Sequence, residues 1–181
     1  MDATLSTGLE PAHRQPLDLL SPDRWTARAE GDAAIRAEAS LRKERAEPGG
    51  PSGDALRLTY TAAKGWRYVV LADRYPVDLP GTPSEMFVWV MGDASGDALR
   101  MRFVDASGQT FQPHHGPIDW VGWKRVRFSL RGDQAGYWGG AMDGVVHGPI
   151  RITVPVLVDL EGRAGTGSIQ VAGIVVVGGT P

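Results

Sequence analysis

An all-β sandwich is the fold class this sequence predicts, and three observations predict it. Twenty-four glycines and 13 prolines among 181 residues demand many turns. Apolar and polar residues alternate over short runs: Leu56, Leu58 and Tyr60 against Arg57 and Thr59; Leu99, Met101 and Phe103 against Arg100 and Arg102; Val126, Phe128 and Leu130 against Arg125, Arg127 and Ser129. No persuasive helical stripe is left over. Asp32–Glu47 has a helix-favouring composition, but its apolar residues Ile35 and Leu41 make no common face, and it reads as charged edge strands.

In chain order, residues 1–22 read as an irregular leader rich in proline and polar residues, and residues 23–181 as one domain beginning near Trp25. Pro48–Gly53 is a loop by composition, followed by strands at 55–61 and 66–71 and a proline-rich connection from Tyr75 to Pro83. Met86–Met91 is apolar at both parities, which predicts a strand covered on both faces. The tetrapeptide Asp-Ala-Ser-Gly then occurs twice, at 93–96 and 105–108. Aspartate opens a type I turn well and glycine closes it in the left-handed region, so two hairpins are expected to join strands 86–91, 98–103 and 109–113. A strand over 124–130 follows, then a glycine-rich loop at 136–148. Two strongly apolar strands close the chain at 150–160 and 167–177, with Pro155 marking a bulge or an edge. The total is nine or ten strands.

Composition limits the function. A formal charge of −2 gives no bulk attraction to nucleic acid or an anionic membrane. The absence of cysteine removes disulfides, thiol nucleophiles and thiolate metal sites. Apolar runs such as Val171–Val177 fall far short of the roughly 20 residues that span a bilayer. The opening residues lack the basic start and apolar run of a signal peptide.

Several segments in order carry a family resemblance. They are Leu56-Arg57-Leu58-Thr59-Tyr60, Val90-Met91-Gly92-Asp93-Ala94-Ser95-Gly96, Leu99-Arg100-Met101-Arg102, Asp105 to Gln112, Ile118-Asp119-Trp120-Val121-Gly122-Trp123 and Trp138-Gly139-Gly140. From about Trp25 to Val177 the chain resembles bacterial galactose-binding-like jelly rolls of the carbohydrate-binding-module type. That resemblance implies two antiparallel sheets packed face to face, a polysaccharide or oligosaccharide partner, and a non-catalytic accessory role beside a glycan-active or surface protein. It also implies an extracellular or cell-surface setting and, in many relatives, a structural calcium. Such domains often end in a strand of the pattern -L-D-D-I-, whereas this chain reads Val171-Ala172-Gly173-Ile174, so no cofactor is expected. The alternative is a structural or protein-interaction sandwich with no glycan ligand.

The residues offer candidates for a binding site. Arg57, Arg67, Arg100, Arg102, Arg125, Arg127 and Arg151 all fall within strands. Arg100, Arg102, Arg125 and Arg127 would form a cationic face if adjacent strands aligned them; the competing reading is a solvated face with cross-strand carboxylates. Trp66, Gln112, His114, Tyr137 and Trp138 lie at loops or strand ends, where sandwiches place binding groups. An indole stacks on the apolar face of a sugar, and a guanidinium grips hydroxyls or a carboxylate. Buried core plugs are nonetheless the favoured reading of Trp66 and Trp138, and a structural role that of Trp120 and Trp123. His114 and His115 are adjacent, so in an extended chain they point to opposite faces and cannot chelate one metal well. No spaced metal motif, strand-borne acid pair, nucleophile elbow, phosphate loop or dinucleotide fingerprint occurs, which predicts no enzyme activity.

Overall fold

The computed structural model describes residues 13–16, 23–79 and 81–179. Among these described residues, twelve strands run in the order β1 (His13–Pro16), β2 (Trp25–Gly31), β3 (Ala37–Arg45), β4 (Asp54–Ala62), β5 (Arg67–Asp73), β6 (Thr82–Asp93), β7 (Ala98–Val104), β8 (Thr110–Pro117), β9 (Val121–Ser129), β10 (Ala135–Trp138), β11 (Arg151–Asp159) and β12 (Gly165–Gly179). They form two six-stranded antiparallel sheets. Sheet I has the order β3-β4-β12-β6-β9, with β1 added along the end of β12; sheet II has the order β10-β8-β7-β11-β5-β2. The all-β sandwich of jelly-roll type expected from the sequence is therefore the observed fold. One part of the segment read as an irregular leader is a strand, His13–Pro16 paired with Val175–Gly178; the rest of residues 1–22 lies outside the described residues.

The alternating residues build the core. Leu58, Val88, Val90, Val126, Phe128, Ile169 and Val171 descend from sheet I onto Val69, Leu71, Leu99, Met101, Phe103, Phe111 and Val158 of sheet II, all essentially without solvent contact. Phe103 and Phe111, opposite each other on β7 and β8, stack with ring centres 5.0 Å apart. Burying these side chains is the main favourable term available to a chain without disulfides. β3 is an edge strand of sheet I whose charged residues Arg42, Lys43, Glu44 and Arg45 discourage pairing with another chain. The charged-edge reading of this region was sound.

One expectation needs correction, and the alternative left open at Pro155 resolves to a bulge. The second Asp-Ala-Ser-Gly segment does make the β7–β8 hairpin, but the first carries the chain from sheet I to sheet II. Both open alike, Asp93 accepting a bond from the Ser95 amide (3.1 Å) and Asp105 from the Ser107 amide (2.9 Å). Around the first, however, the Ala94 and Gly96 amides donate to the carbonyls of Trp120 and Ile118, and the Ile118 amide donates to Asp97. This tie draws the loop onto the 118–120 segment, and β6 pairs with β12 and β9 instead of β7. Distant partners, not turn chemistry, decide between hairpin and crossover. Pro155 does sit where the β11–β7 register shifts, between Val154 and Leu157, yet β11 is a central strand between β7 and β5. The bulge is what lets a residue lacking an amide hydrogen stay inside the sheet.

Candidate functional site

Strand alternation turns Arg100 and Arg102 to the outer face of sheet II, with His114 opposite Arg100 on β8. Toward the other edge of that sheet, Tyr68 of β5 pairs with Glu30 of β2. Trp66 precedes β5 and Trp138 ends β10. Together Glu30, Gly31, Trp66, Tyr68, Arg102, Gln112 and Trp138 line a groove of ≈ 390 Å³. Four of these were candidates from sequence: Trp66, Arg102, Gln112 and Trp138.

Arg102 organises the groove. Its Nε donates to Gln112 Oε1 (2.7 Å) and its Nη1 to Glu30 Oε2 (2.6 Å). Because β11 and β5 separate β7 from β2, the Arg102 and Glu30 side chains together span both strands to meet. Its guanidinium lies 5.4 Å from the centre of the Tyr68 ring and 5.5 Å from that of Trp138, within reach of both π faces. Tyr68 in turn accepts a hydrogen bond from Trp66 Nε1, and the two rings meet edge to face with centres 5.6 Å apart. Burial pushes the Glu30 carboxyl up, but bonds and charge from Arg102 and Arg28 outweigh it and hold the group below the usual range. Glu30 is therefore an anion at neutral pH, and its charge meets that of Arg102.

The two groove tryptophans correct the core-plug expectation, since Trp66 is 62% and Trp138 43% exposed. Trp66 is carried outward by a close approach: Gly31 adopts φ +103°, and a Cβ there would lie 2.5 Å from the Trp66 carbonyl oxygen, which accepts the Asp32 amide (2.9 Å). Glu30 and Tyr68 were missed from sequence. Tyr68 stands two residues after Trp66 and Glu30 shares a parity with Arg28, so period-two counting from the tryptophan would have found the former.

The remaining candidates are placed elsewhere. Tyr137 is next to Trp138 and so faces the other way, packing on Phe111 (centres 6.1 Å apart) and against Gly144. Arg100 and His114 share the sheet face but not the groove lining; Arg100 pairs with Asp159 (3.2 Å) and Glu161 (3.8 Å). His115 turns inward onto Trp120 and Phe128, opposite in sense to exposed His114. Arg125 and Arg127 belong to sheet I, where Arg125 lies over Phe87 (4.2 Å) and Arg127 pairs with Glu85. With Arg57 held by Glu44 and Glu47, and Arg151 by Asp78, the strand arginines make no continuous cationic face. Carboxylates neutralise Arg57, Arg100, Arg102, Arg127 and Arg151, whereas Arg125 lies over Phe87 and Arg67 donates to the Gly31 carbonyl.

Trp120 and Trp123 serve the fold, as favoured. Trp120 Nε1 donates to the Val90 carbonyl (3.3 Å), and Trp123 Nε1 to that of Glu47 (2.8 Å), with Gly50 against its indole. The segment following β3 is thereby tied over sheet I, and the Glu47 amide donates to buried Gln170 (2.9 Å). A second hollow of ≈ 690 Å³ lies on that sheet, lined largely by Ser40, Thr59, Thr61, Thr166, Ser168 and Asp93. It has greater volume but offers no exposed ring, and Asp93 already accepts the Ser168 amide (2.8 Å).

No family model matches this chain, and no curated protein matches it. Solved structures do. The family 11 carbohydrate-binding module of a cellulosomal cellulase from Clostridium thermocellum matches over 93% of this chain and 96% of its own, at 13% identity and TM-score 0.64. The same module in complex with a β-1,3-1,4-mixed-linked tetrasaccharide matches over 92% and 96%, at 13% identity and TM-score 0.62. A structure addressing the promiscuous specificity of carbohydrate-binding modules of the β-sandwich superfamily matches over 85% and 57%, at 12% identity and TM-score 0.54. The protein has a β-jelly-roll fold. More narrowly, its fold is similar to that of carbohydrate-binding modules, a likeness of fold at 12–13% identity.

Proposed function

We propose that this chain is a non-catalytic carbohydrate-binding module that holds a segment of polysaccharide in the groove of sheet II. The observation that carries this reading is the exposure of Trp66 and Trp138 on either side of a floor made by Tyr68 and Arg102. Exposed indoles in a groove provide apolar faces for sugar rings, and the guanidinium and Gln112 amide provide fixed donors for hydroxyls. Such a site binds by surface contact. It is also poorly equipped for glycoside hydrolysis, which needs two carboxyls flanking one bond. Among the described residues lining the groove, Glu30 supplies a single carboxylate, and it is engaged by Arg102. In its native setting the module would concentrate a glycan-active or surface protein on its polymer, outside the cell.

The test is affinity electrophoresis against neutral and acidic polysaccharides, including a mixed-linked β-1,3-1,4-glucan because a structural neighbour is known with that ligand type. Trp66→Ala and Trp138→Ala should each weaken retardation about tenfold, the equivalent of about 1.4 kcal/mol, while Arg127→Ala on sheet I leaves it unchanged. Equal retardation of all four proteins would remove the site from this groove. No retardation of the native chain by any polymer would turn the reading to a protein-interaction sandwich.

A further inference from the structure

The groove of the proposed module holds an arginine that already has a carboxylate. We infer that Glu30 is a specificity determinant: by occupying Arg102 it closes the groove to acidic glycans and reserves it for uncharged ones. This deepens the carbohydrate-binding reading and rests on it. Arg102 Nη1 donates to Glu30 Oε2 at 2.6 Å, and Arg28 reaches the other oxygen of the same carboxylate at 2.8 Å. A uronate or sulfate approaching Arg102 would have to displace a partner of the same charge and then sit beside it, exchanging one ion pair for another and adding a like-charge contact. Arg100, the other arginine turned out by β7, is likewise matched by Asp159 and Glu161. The sheet face thus has arginines without an uncompensated positive field.

A neutral sugar meets no such obstacle. Arg102 Nη2 has no protein partner among the described residues, so one donor is left beside the Tyr68 and Trp138 rings for a hydroxyl oxygen. The carboxylate fixes the guanidinium in place and leaves that donor presented. Glu30 therefore orients as well as excludes.

The experiment compares the native protein with Glu30→Gln, a near-isosteric change that keeps an acceptor for Arg102 but removes the charge. Polygalacturonate and neutral mixed-linked β-glucan are the probes, each run at low and at high salt. The native protein is expected to be retarded by the neutral polymer regardless of salt and not by polygalacturonate. E30Q should gain at least tenfold in affinity for polygalacturonate, a gain abolished by high salt and by the further change Arg102→Gln. Salt-sensitive binding of polygalacturonate by the native protein that R102Q abolishes would overturn the inference. So would an E30Q protein with a native melting curve that gains nothing. Should E30Q fail to fold, the native protein's own response to polygalacturonate decides between the two. If the native chain binds no polymer but E30Q gains Arg102-dependent binding to polygalacturonate, the exclusion by Glu30 stands and the neutral-glycan reading falls.

Discussion

Asp105 uses both carboxylate oxygens to close the β7–β8 hairpin. Oδ1 accepts the Ser107 amide (2.9 Å), the Ser107 hydroxyl (2.7 Å) and the Gln109 amide (2.9 Å), while Oδ2 accepts the His147 amide (3.0 Å) from the loop after β10. Burial pushes its carboxyl up, but these bonds outweigh it and hold the group below the usual range. A carboxyl whose folded value lies below its unfolded one stabilises the fold above the unfolded value, about 3.9, and loses that contribution as pH falls through the folded one. Asparagine has one acceptor oxygen, so Asp105→Asn leaves an amide unpaired and should cost about 1–3 kcal/mol at pH 7. Urea midpoints should show that deficit narrowing when measured at progressively lower pH. Asp97 behaves in the opposite sense. Burial pushes it up despite the Tyr60 hydroxyl (2.8 Å) and Arg163 (2.9 Å), so its favourable contribution is full below the unfolded value and is lost as pH rises through the folded one. Asp97→Asn is expected to cost less than Asp105→Asn at pH 7, a ranking the same urea series checks.

At the level of elements, the junction of β2 with β5 decides whether the groove exists. Gly31 ends β2 with a positive φ against the Trp66 carbonyl, and a methyl group there has no room. Gly31→Ala should therefore cost about 1–3 kcal/mol in stability and weaken polymer retardation by displacing Trp66, whereas Gly49→Ala, where a Cβ meets no neighbour, should spare retardation. Melting curves and affinity gels on the two variants separate these effects. Strand positions were legible because burial imposes a period of two: Leu56 to Tyr60, Leu99 to Phe103 and Val126 to Leu130 all point inward as their alternation requires. Strand partners were not legible. Nothing local in the two Asp-Ala-Ser-Gly segments distinguishes the hairpin from the crossover, because the difference lies in bonds to Ile118 and Trp120. The site was half legible for the same reason. Type and position at loops or strand ends raised Trp66, Trp138 and Gln112, and strand alternation raised Arg102, but the partition of Arg125 and Arg127 onto the opposite sheet, and the meeting of Arg102 with Glu30 across intervening strands, are products of topology.

Taken whole, the molecule has two differently furnished outer faces around one shared core. Sheet I is overlaid beside Trp123 by the Glu47–Gly50 segment and has a hydroxyl-lined hollow, whereas sheet II exposes rings around a balanced arginine. The tryptophans are sorted the same way: Trp25 is 1% exposed at the core, Trp89, Trp120 and Trp123 are half-buried, and Trp66 and Trp138 stand in water. The protein thus contains its own optical gauge. Light emitted by the two groove indoles should lie at longer wavelength and be quenched by iodide, while Trp25 stays shielded. A ligand seated in sheet II would shift the emission to the blue and protect it from iodide, and occupancy could be read without a label. A ligand that bound on sheet I would leave the two groove indoles open to iodide, so the red-shifted, quenchable emission would report which face the polymer had chosen.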